Sequence, residues 1–226
     1  MTPGAAVIFD FDGVLADTER LHLRAFQDVL GAHSLALGET EYFERYLGFD
    51  DRGLVLALAR DRGVGLDDRS VHILLEAKAR RFAAHVAGGD ALYPAAKACV
   101  RRLGAQYPLA IASGALHEEI VAILDTAGLT PAFATIVGAD DVAVSKPAPD
   151  PYLEAARRLG VDPRRAVAIE DSRWGLESAR AAGLRTIGIT TSYPAASLAP
   201  TDAIVVSLDE VTDALIAGLL ARPDNR

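Results

Sequence analysis

The 226-residue sequence predicts an α/β fold: a parallel sheet with helices on both faces, plus an inserted α-helical domain. Three observations predict it. Short apolar runs recur along the chain and end in polar residues, as strands buried on both faces do. Helical patterns, several ending in glycine, separate most of these runs. Between residues 17 and 89 the strand pattern stops and only helical periodicity continues.

The elements follow in order. Ala5–Phe9 is the first strand. Thr18–Leu30 is a helix with Leu21, Ala25, Phe26 and Val29 on one face. Tyr42–Leu47, Gly53–Ala59 and Ser70–Val86 read as further helices, the last with Val71, Leu74, Leu75, Phe82 and Val86 along one side. Pro94–Leu103 reads as a helix that packs Cys99. Leu109–Ala112, Thr135–Val137, Ala166–Ile169, Thr186–Ile189 and Ala203–Val206 are the remaining strands. Helices Leu116–Ala127, Pro151–Leu159 and Ser172–Ala182 run up to Gly128, Gly160 and Gly183. A last helix is expected from Asp209, with Val211, Leu215, Leu219 and Leu220 on one face. Residues 1–16 and 90–226 therefore form the core, and residues 17–89 a helical cap. The connections are expected near Ala16-Asp17 and Gly88-Gly89-Asp90.

Composition excludes several function classes. There are 31 acids and 23 bases, a net charge of −8, and no basic stretch longer than two residues. A nucleic-acid partner is not expected. Cys99 is the only cysteine, which excludes an intrachain disulfide and a thiolate metal cluster. No segment approaches the ~18 apolar residues of a membrane span. The first residues lack a basic n-region, so a cytoplasmic protein is expected, and its acidic surface is compatible with a monomer. Lysine occurs only at 78, 97 and 146, so a lysine is the uncommon basic choice here.

Four strand ends carry chemical groups. The first strand runs into Asp10-Phe11-Asp12-Gly13, two carboxylates at i and i+2 and a glycine that permits a sharp turn. Two acids so close repel unless a cation joins them, and a hard divalent ion, Mg²⁺, is the natural partner. An acidic turn is the other reading. Ser113-Gly114-Ala115 places a hydroxyl and backbone amides before a helix, which suits an anion; Ser113 could equally be an N-cap. Lys146 lies in a loop stiffened by Pro147, Pro149 and Pro151, and its compact ammonium suits a phosphoryl oxygen and a carboxylate. Glu170-Asp171 would complete a carboxylate cluster, or Asp171 could cap the helix that follows.

This order resembles the haloacid dehalogenase superfamily. Asp10-Phe-Asp12-Gly-Val matches its first motif, Ser113 its second, Lys146 its third and Glu170-Asp171 its fourth. The match extends through Lys-Pro-x-Pro-Asp-x-Tyr-Leu at 146–153 and Glu-Asp-Ser-x-x-Gly at 170–175. A cap between the first and second motifs resembles the β-phosphoglucomutase-like branch. The resemblance implies a Rossmann-like core and a Mg²⁺-dependent phosphatase of small phosphorylated metabolites. Asp10 would be the nucleophile and Asp12 the general acid and base. Asp10, the Asp12 carbonyl and Asp171 would hold the metal, with Glu170 in or near that shell. Ser113, the Gly114 and Ala115 amides and Lys146 would bind the phosphoryl oxygens. It also places Thr18, His22, Gly48, Phe49 and Arg52 on the substrate side of the cap. Lys78 is expected on a solvated helix face, away from any Schiff-base role.

Two competing readings remain at this stage. β-Phosphoglucomutases carry a Lys and an Arg in the cap loop that grip a second phosphate. Aligned on Gly48, this chain has Leu47 and Asp51 there, with Arg52 one position away, which favours a phosphatase over a hexose-phosphate mutase. A non-catalytic phospho-ligand binder is the reading from another class. It leaves Asp10, Asp12, Lys146 and Asp171 without a shared purpose.

Overall fold

The computed structural model describes residues 4–46, 49, 51–88 and 91–223. In chain order the elements are β1 (Ala6–Phe9), α1 (Thr18–Leu30), α2 (Glu39–Glu41), α3 (Asp51–Arg62), α4 (Asp68–Ala87), α5 (Ala96–Gly104), β2 (Leu109–Ala112), α6 (His117–Ala127), β3 (Thr135–Val137), α7 (Asp150–Leu159), β4 (Ala166–Glu170), α8 (Arg173–Ala181), β5 (Arg185–Ile189), β6 (Ala203–Val205) and α9 (Asp213–Leu220). The chain divides into two compact units, Met1–Asp17 with Leu92–Arg226, and Thr18–Ala91. No described helix is long and apolar enough to cross a membrane.

The first unit is built on one sheet of six parallel strands, ordered β3-β2-β1-β4-β5-β6. Every residue of β1, β2, β4 and β5 is buried. Strands covered on both faces need no polar alternation, which is why they read as plain apolar runs. The chain leaves β1 toward β2 and β3, then returns to the other side for β4. The β1–β4 boundary is thus where strand order reverses, and loops beyond those strand ends open a crevice. Phe9 pairs with Ile169 and with Ile111. One residue further on, Asp10 comes beside Glu170, and the Asp10 N–H donates to the Ile169 carbonyl at 2.9 Å. Tyr152, Ala155 and Ala156 of α7 and Ala179 of α8 pack against Ala6, Ile8, Ala110 and Ala168 of the sheet.

The last helix differs from its expected start. Leu208–Glu210 is a separate 3₁₀ turn, capped by Ser207, whose hydroxyl accepts from the Asp209 N–H at 3.1 Å. Thr212 then caps α9 by accepting from the Leu215 N–H at 3.2 Å. Two successive caps split what the apolar spacing alone joins, and Val211 is buried in the connection.

The second unit is helical and contains no strand among its described residues. α1, α3 and α4 close over a core that includes Phe26, Leu30, Leu54, Leu58, Val71 and Leu74. Asp67 caps α4, its carboxylate accepting from the Ser70 N–H at 2.8 Å. The expected helix at Tyr42–Leu47 is a π-type turn over Tyr42–Tyr46 that continues α2; Leu47 lies outside the described residues, as do Gly89 and Asp90. Lys78 is not on a solvated face. It is 2% exposed, because it falls on the same side of α4 as Val71, Leu74 and Phe82.

Candidate active site

β1 delivers Asp10 to the crevice, 8% exposed. The turn that follows depends on Gly13, which has a φ of +76° and donates its N–H to the Ala16 carbonyl at 2.8 Å. A Cβ on Gly13 would lie 1.9 Å from Asp171 Oδ2. Only glycine permits both the backbone angle and the approach of that carboxylate. Asp12 sits half-buried in this turn.

Ser113 follows β2 and is 2% exposed. Its hydroxyl accepts from the Ala115 N–H at 3.0 Å, and its own N–H donates to the Val137 carbonyl at 2.9 Å. It is not an N-cap, since α6 begins after Leu116. The Ala115 amide, expected to face a phosphoryl oxygen, is engaged by Ser113, and Gly114 is exposed beside it. Asp171 is not a cap either: Ser172 caps α8, accepting from the Gly175 N–H at 3.1 Å.

Lys146 joins the two central strands. Its Nζ donates to Asp10 Oδ1 at 2.7 Å and to Glu170 Oε1 at 2.6 Å. Burial alone would lower its pKa, but the charges of Asp10 and Glu170 hold it above the ordinary lysine range, so it is a cation. One cation faces three carboxylates. Burial and then the Glu170 charge push the Asp10 pKa well up, against the opposing pull of Lys146. The same two causes raise Asp171 to about 7, partly countered by a hydrogen bond from Ser192. The cluster is therefore short of positive charge. Oxygens of Asp10, Glu170 and Asp171 lie within 4.8 Å of one another, all three residues buried. An all-oxygen set with surplus negative charge fits a hard divalent cation. Glu170 is the least free of the three, because Lys146, the Tyr152 hydroxyl at 2.8 Å and Ser172 already occupy its oxygens.

The helical unit places its expected residues as follows. Thr18 is buried at the start of α1. His22 Nδ1 lies 2.5 Å from Lys78 Nζ, and its ring stacks on Phe82 at 4.2 Å. Burial, then the Lys78 charge, pushes His22 down to about 4, so it is neutral and accepts from the ammonium. Lys78 also donates to Asp51 Oδ2 at 2.7 Å. Arg52 is drawn to Asp68 at 2.7 Å, a pair at the surface. Phe49 is 49% exposed. Gly48 lies outside the described residues.

Three residues of the core were given no role by the sequence reading, although Tyr152 falls inside the motif at 146–153. Tyr152 meets Glu170 as described. Thr191 donates its hydroxyl to the Gly13 carbonyl, and Ser192 bonds Asp171. Both belong to the loop after β5, a fifth strand end on the same side of the sheet. That topology was the one signal that could have marked them.

A buried carboxylate, a lysine and an acidic pair meet at the switch point of a parallel sheet, an arrangement suited to a divalent cation and an anionic ligand. The comparisons with known proteins make the family explicit. The chain belongs to the haloacid dehalogenase-like hydrolases, whose family model matches residues 5–183. It is 36% identical over 198 residues to protein CbbY of Rhodobacter capsulatus, covering 83% of this chain and 86% of that protein. It is 30% identical over 185 residues to the fructose-1-phosphate phosphatase YqaB of Escherichia coli K12, covering 82% of this chain and 96% of that protein. Among solved structures it is similar to a mutant of CbbY from Rhodobacter sphaeroides in complex with xylulose-(1,5)bisphosphate. The TM-score is 0.75 at 31% identity, over 91% of this chain and 95% of that one.

Proposed function

We propose that the chain is a Mg²⁺-dependent phosphatase of small phosphorylated metabolites, sugar phosphates among them, working through an aspartyl-phosphate on Asp10. One observation carries this reading: Asp10, next to Glu170 across β1 and β4, is gripped by Lys146 at 2.7 Å with Asp171 beside it. In the first half of the reaction an Asp10 oxygen attacks phosphorus. The bond to the leaving alkoxide breaks, and Asp12 supplies the proton that the alkoxide takes up. In the second half Asp12 removes a proton from water, which attacks the phosphorus and frees the Asp10 carboxylate as phosphate departs. Lys146, Ser113 and the Gly114 amide hold the phosphoryl oxygens. Mg²⁺ bound by Asp10, the Asp12 carbonyl and Asp171 would offset the charge shared by the phosphoryl group and its nucleophile.

We assign residues 17–89 the role of a substrate-selecting cap, as the sequence resemblance suggests, with Thr18, His22, Phe49 and Arg52 as its candidate contacts. A mutase would need a cation free for a second phosphate. The position aligned with a family cation is the acid Asp51, and the neighbouring Arg52 is paired with Asp68 at 2.7 Å, which supports a phosphatase. The names of the relatives support small sugar phosphates as the substrate class. The test is release of inorganic phosphate from a panel of small monoesters with Mg²⁺. Asp10→Asn is expected to abolish it. Isomerisation of a hexose phosphate without net phosphate release, or full activity in Asp10→Asn, would refute the proposal.

A further inference from the structure

The phenol of Tyr152 is a buried polar group with no part in the chemistry above. It is fully buried on α7, among Ala110, Ala112 and Val137. Phenylalanine would fill the same apolar space without bringing a hydroxyl that must be satisfied. That hydroxyl donates to Glu170 Oε1 at 2.8 Å, the oxygen that also receives Lys146 Nζ at 2.6 Å. The other carboxylate oxygen faces the Ser172 N–H at 3.4 Å and its hydroxyl at 3.3 Å. Behind the carboxylate, Gly175 leaves no spare room, since a Cβ there would stand 1.8 Å from Oε1. The Tyr152 ring lies 5.1 Å from Lys146 Nζ.

Glu170 is thus fixed from several sides, and Lys146 is strung between it and Asp10. An ammonium has three N–H donors. Two are spent on Asp10 and Glu170. Once those two directions are set, the third follows from tetrahedral geometry. We infer that Tyr152 is a positioning residue: by holding Glu170 Oε1 it aims the third Nζ–H of Lys146 at the phosphoryl group on Asp10. Tyr152 touches no reacting atom itself. The inference rests on the phosphatase reading of this site. A purely structural hydroxyl would change stability but leave the aim of Lys146 and the turnover rate alone.

Tyr152→Phe removes one oxygen and keeps the ring. With Mg²⁺ and p-nitrophenyl phosphate, kcat is expected to fall about tenfold, equivalent to ~1.4 kcal/mol, with the KM for Mg²⁺ within about twofold of wild type. In the Glu170→Gln background the same substitution is expected to cost less than about twofold, because its route runs through Glu170. A second readout needs no turnover. The chain has lysine only at 78, 97 and 146, so ¹⁵N-lysine labelling yields a spectrum of three ammonium groups, with Lys146 assigned by its loss in Lys146→Met. Tyr152→Phe is expected to move the Lys146 signal and leave Lys97 in place. A folded Tyr152→Phe with an unmoved Lys146 signal, or with kcat within twofold of wild type, overturns the inference. So does a tenfold loss that persists in the Glu170→Gln background. If Tyr152→Phe does not fold, the Lys146 signal in Glu170→Gln decides: unmoved, it overturns the inference. If the wild-type chain releases no phosphate from any monoester, the functional reading falls, and the lysine spectrum still decides whether Tyr152 places Lys146.

Discussion

Gly175→Ala adds one methyl group in the first turn of α8. Helix propensity favours the change by up to ~1 kcal/mol, less near a terminus. The packing opposes it. The new Cβ would lie 1.8 Å from Glu170 Oε1, 1.9 Å from Cδ and 2.1 Å from Oε2, where ordinary contact begins at 3.4 Å. The carboxylate must therefore retreat by about 1.6 Å, the gap between 1.8 and 3.4 Å. Its bonds to Lys146 at 2.6 Å and Tyr152 at 2.8 Å do not survive a shift of that size. Hydrogen bonds to a buried charge contribute ~1.5–3 kcal/mol each. Two of them outweigh the propensity gain, and a net loss of about 2–5 kcal/mol in stability is expected. Lys146 loses one of its two anchors, so kcat should drop by roughly a hundredfold, about 2.7 kcal/mol of barrier. Urea unfolding followed by circular dichroism and steady-state phosphate release measure the two effects. Gly218→Ala in α9 is the control, because nothing lies within 4 Å of its added Cβ; it should be neutral or stabilising by up to ~1 kcal/mol. A Gly175→Ala protein as stable as wild type, with kcat within threefold, would show that Glu170 has freedom the geometry denies it.

Two further outcomes concern pH. Asp171 is held up to about 7 without a metal, by burial and then by the Glu170 charge. A cation needs it ionised, so binding releases a proton, and the apparent KM for Mg²⁺ should rise about tenfold per pH unit below 7; a flat KM between pH 6 and 8 contradicts this. His22 is pushed the other way, to about 4. The unfolded chain then holds more protons than the folded one between about 4 and the unfolded value near 6.5. The stability tied to neutral His22 is thus complete above ~6.5 and is lost as pH falls toward 4. Its ceiling is ~3 kcal/mol, from ~2.5 pKa units at 1.36 kcal/mol each, reduced by the 30% exposure of the side chain. Urea unfolding of wild type and His22→Gln at pH 7 and 4.5 checks it, and equal losses in both proteins count against it.

How much was legible in the sequence depends on how local each cause is. Strands buried on both faces announce themselves as apolar runs, and glycines mark helix ends, so the element order could be read directly. Asp10, Ser113, Lys146 and Glu170-Asp171 were legible because each lies at or after the end of a strand. Their mutual geometry was not. Asp10 meets Glu170 only because β4 returns to the far side of β1, and no local pattern states strand order. Tyr152 lies in the motif at 146–153, but its partner was hidden for the same reason. Its neighbours in sequence make it an ordinary apolar helix residue, and only the fold brings Glu170 to its hydroxyl. The loop after β5 carries Thr191 and Ser192, whose hydroxyls are too common to stand out.

The lysines show where composition and periodicity should have been read together. Rarity singled out Lys146, and the proline-rich loop around it supplied the context. Lys78 lacks such a loop, yet it has a context of a different kind. Val71, Leu74, Leu75, Lys78 and Phe82 fall at helical spacing, so a cation was written into the apolar stripe of α4. A lysine on such a stripe must find partners within its own unit, since an unpaired buried charge is too costly to keep. The structure supplies them as Asp51 and neutral His22, with the Phe26 and Phe82 rings at 4.9 and 5.2 Å. This pairing also changes what Asp51 means. As a bare carboxylate it would repel a second phosphate outright. Tied to Lys78, it repels less, and the case against a mutase then rests on Arg52, whose guanidinium is paired with Asp68 at 2.7 Å.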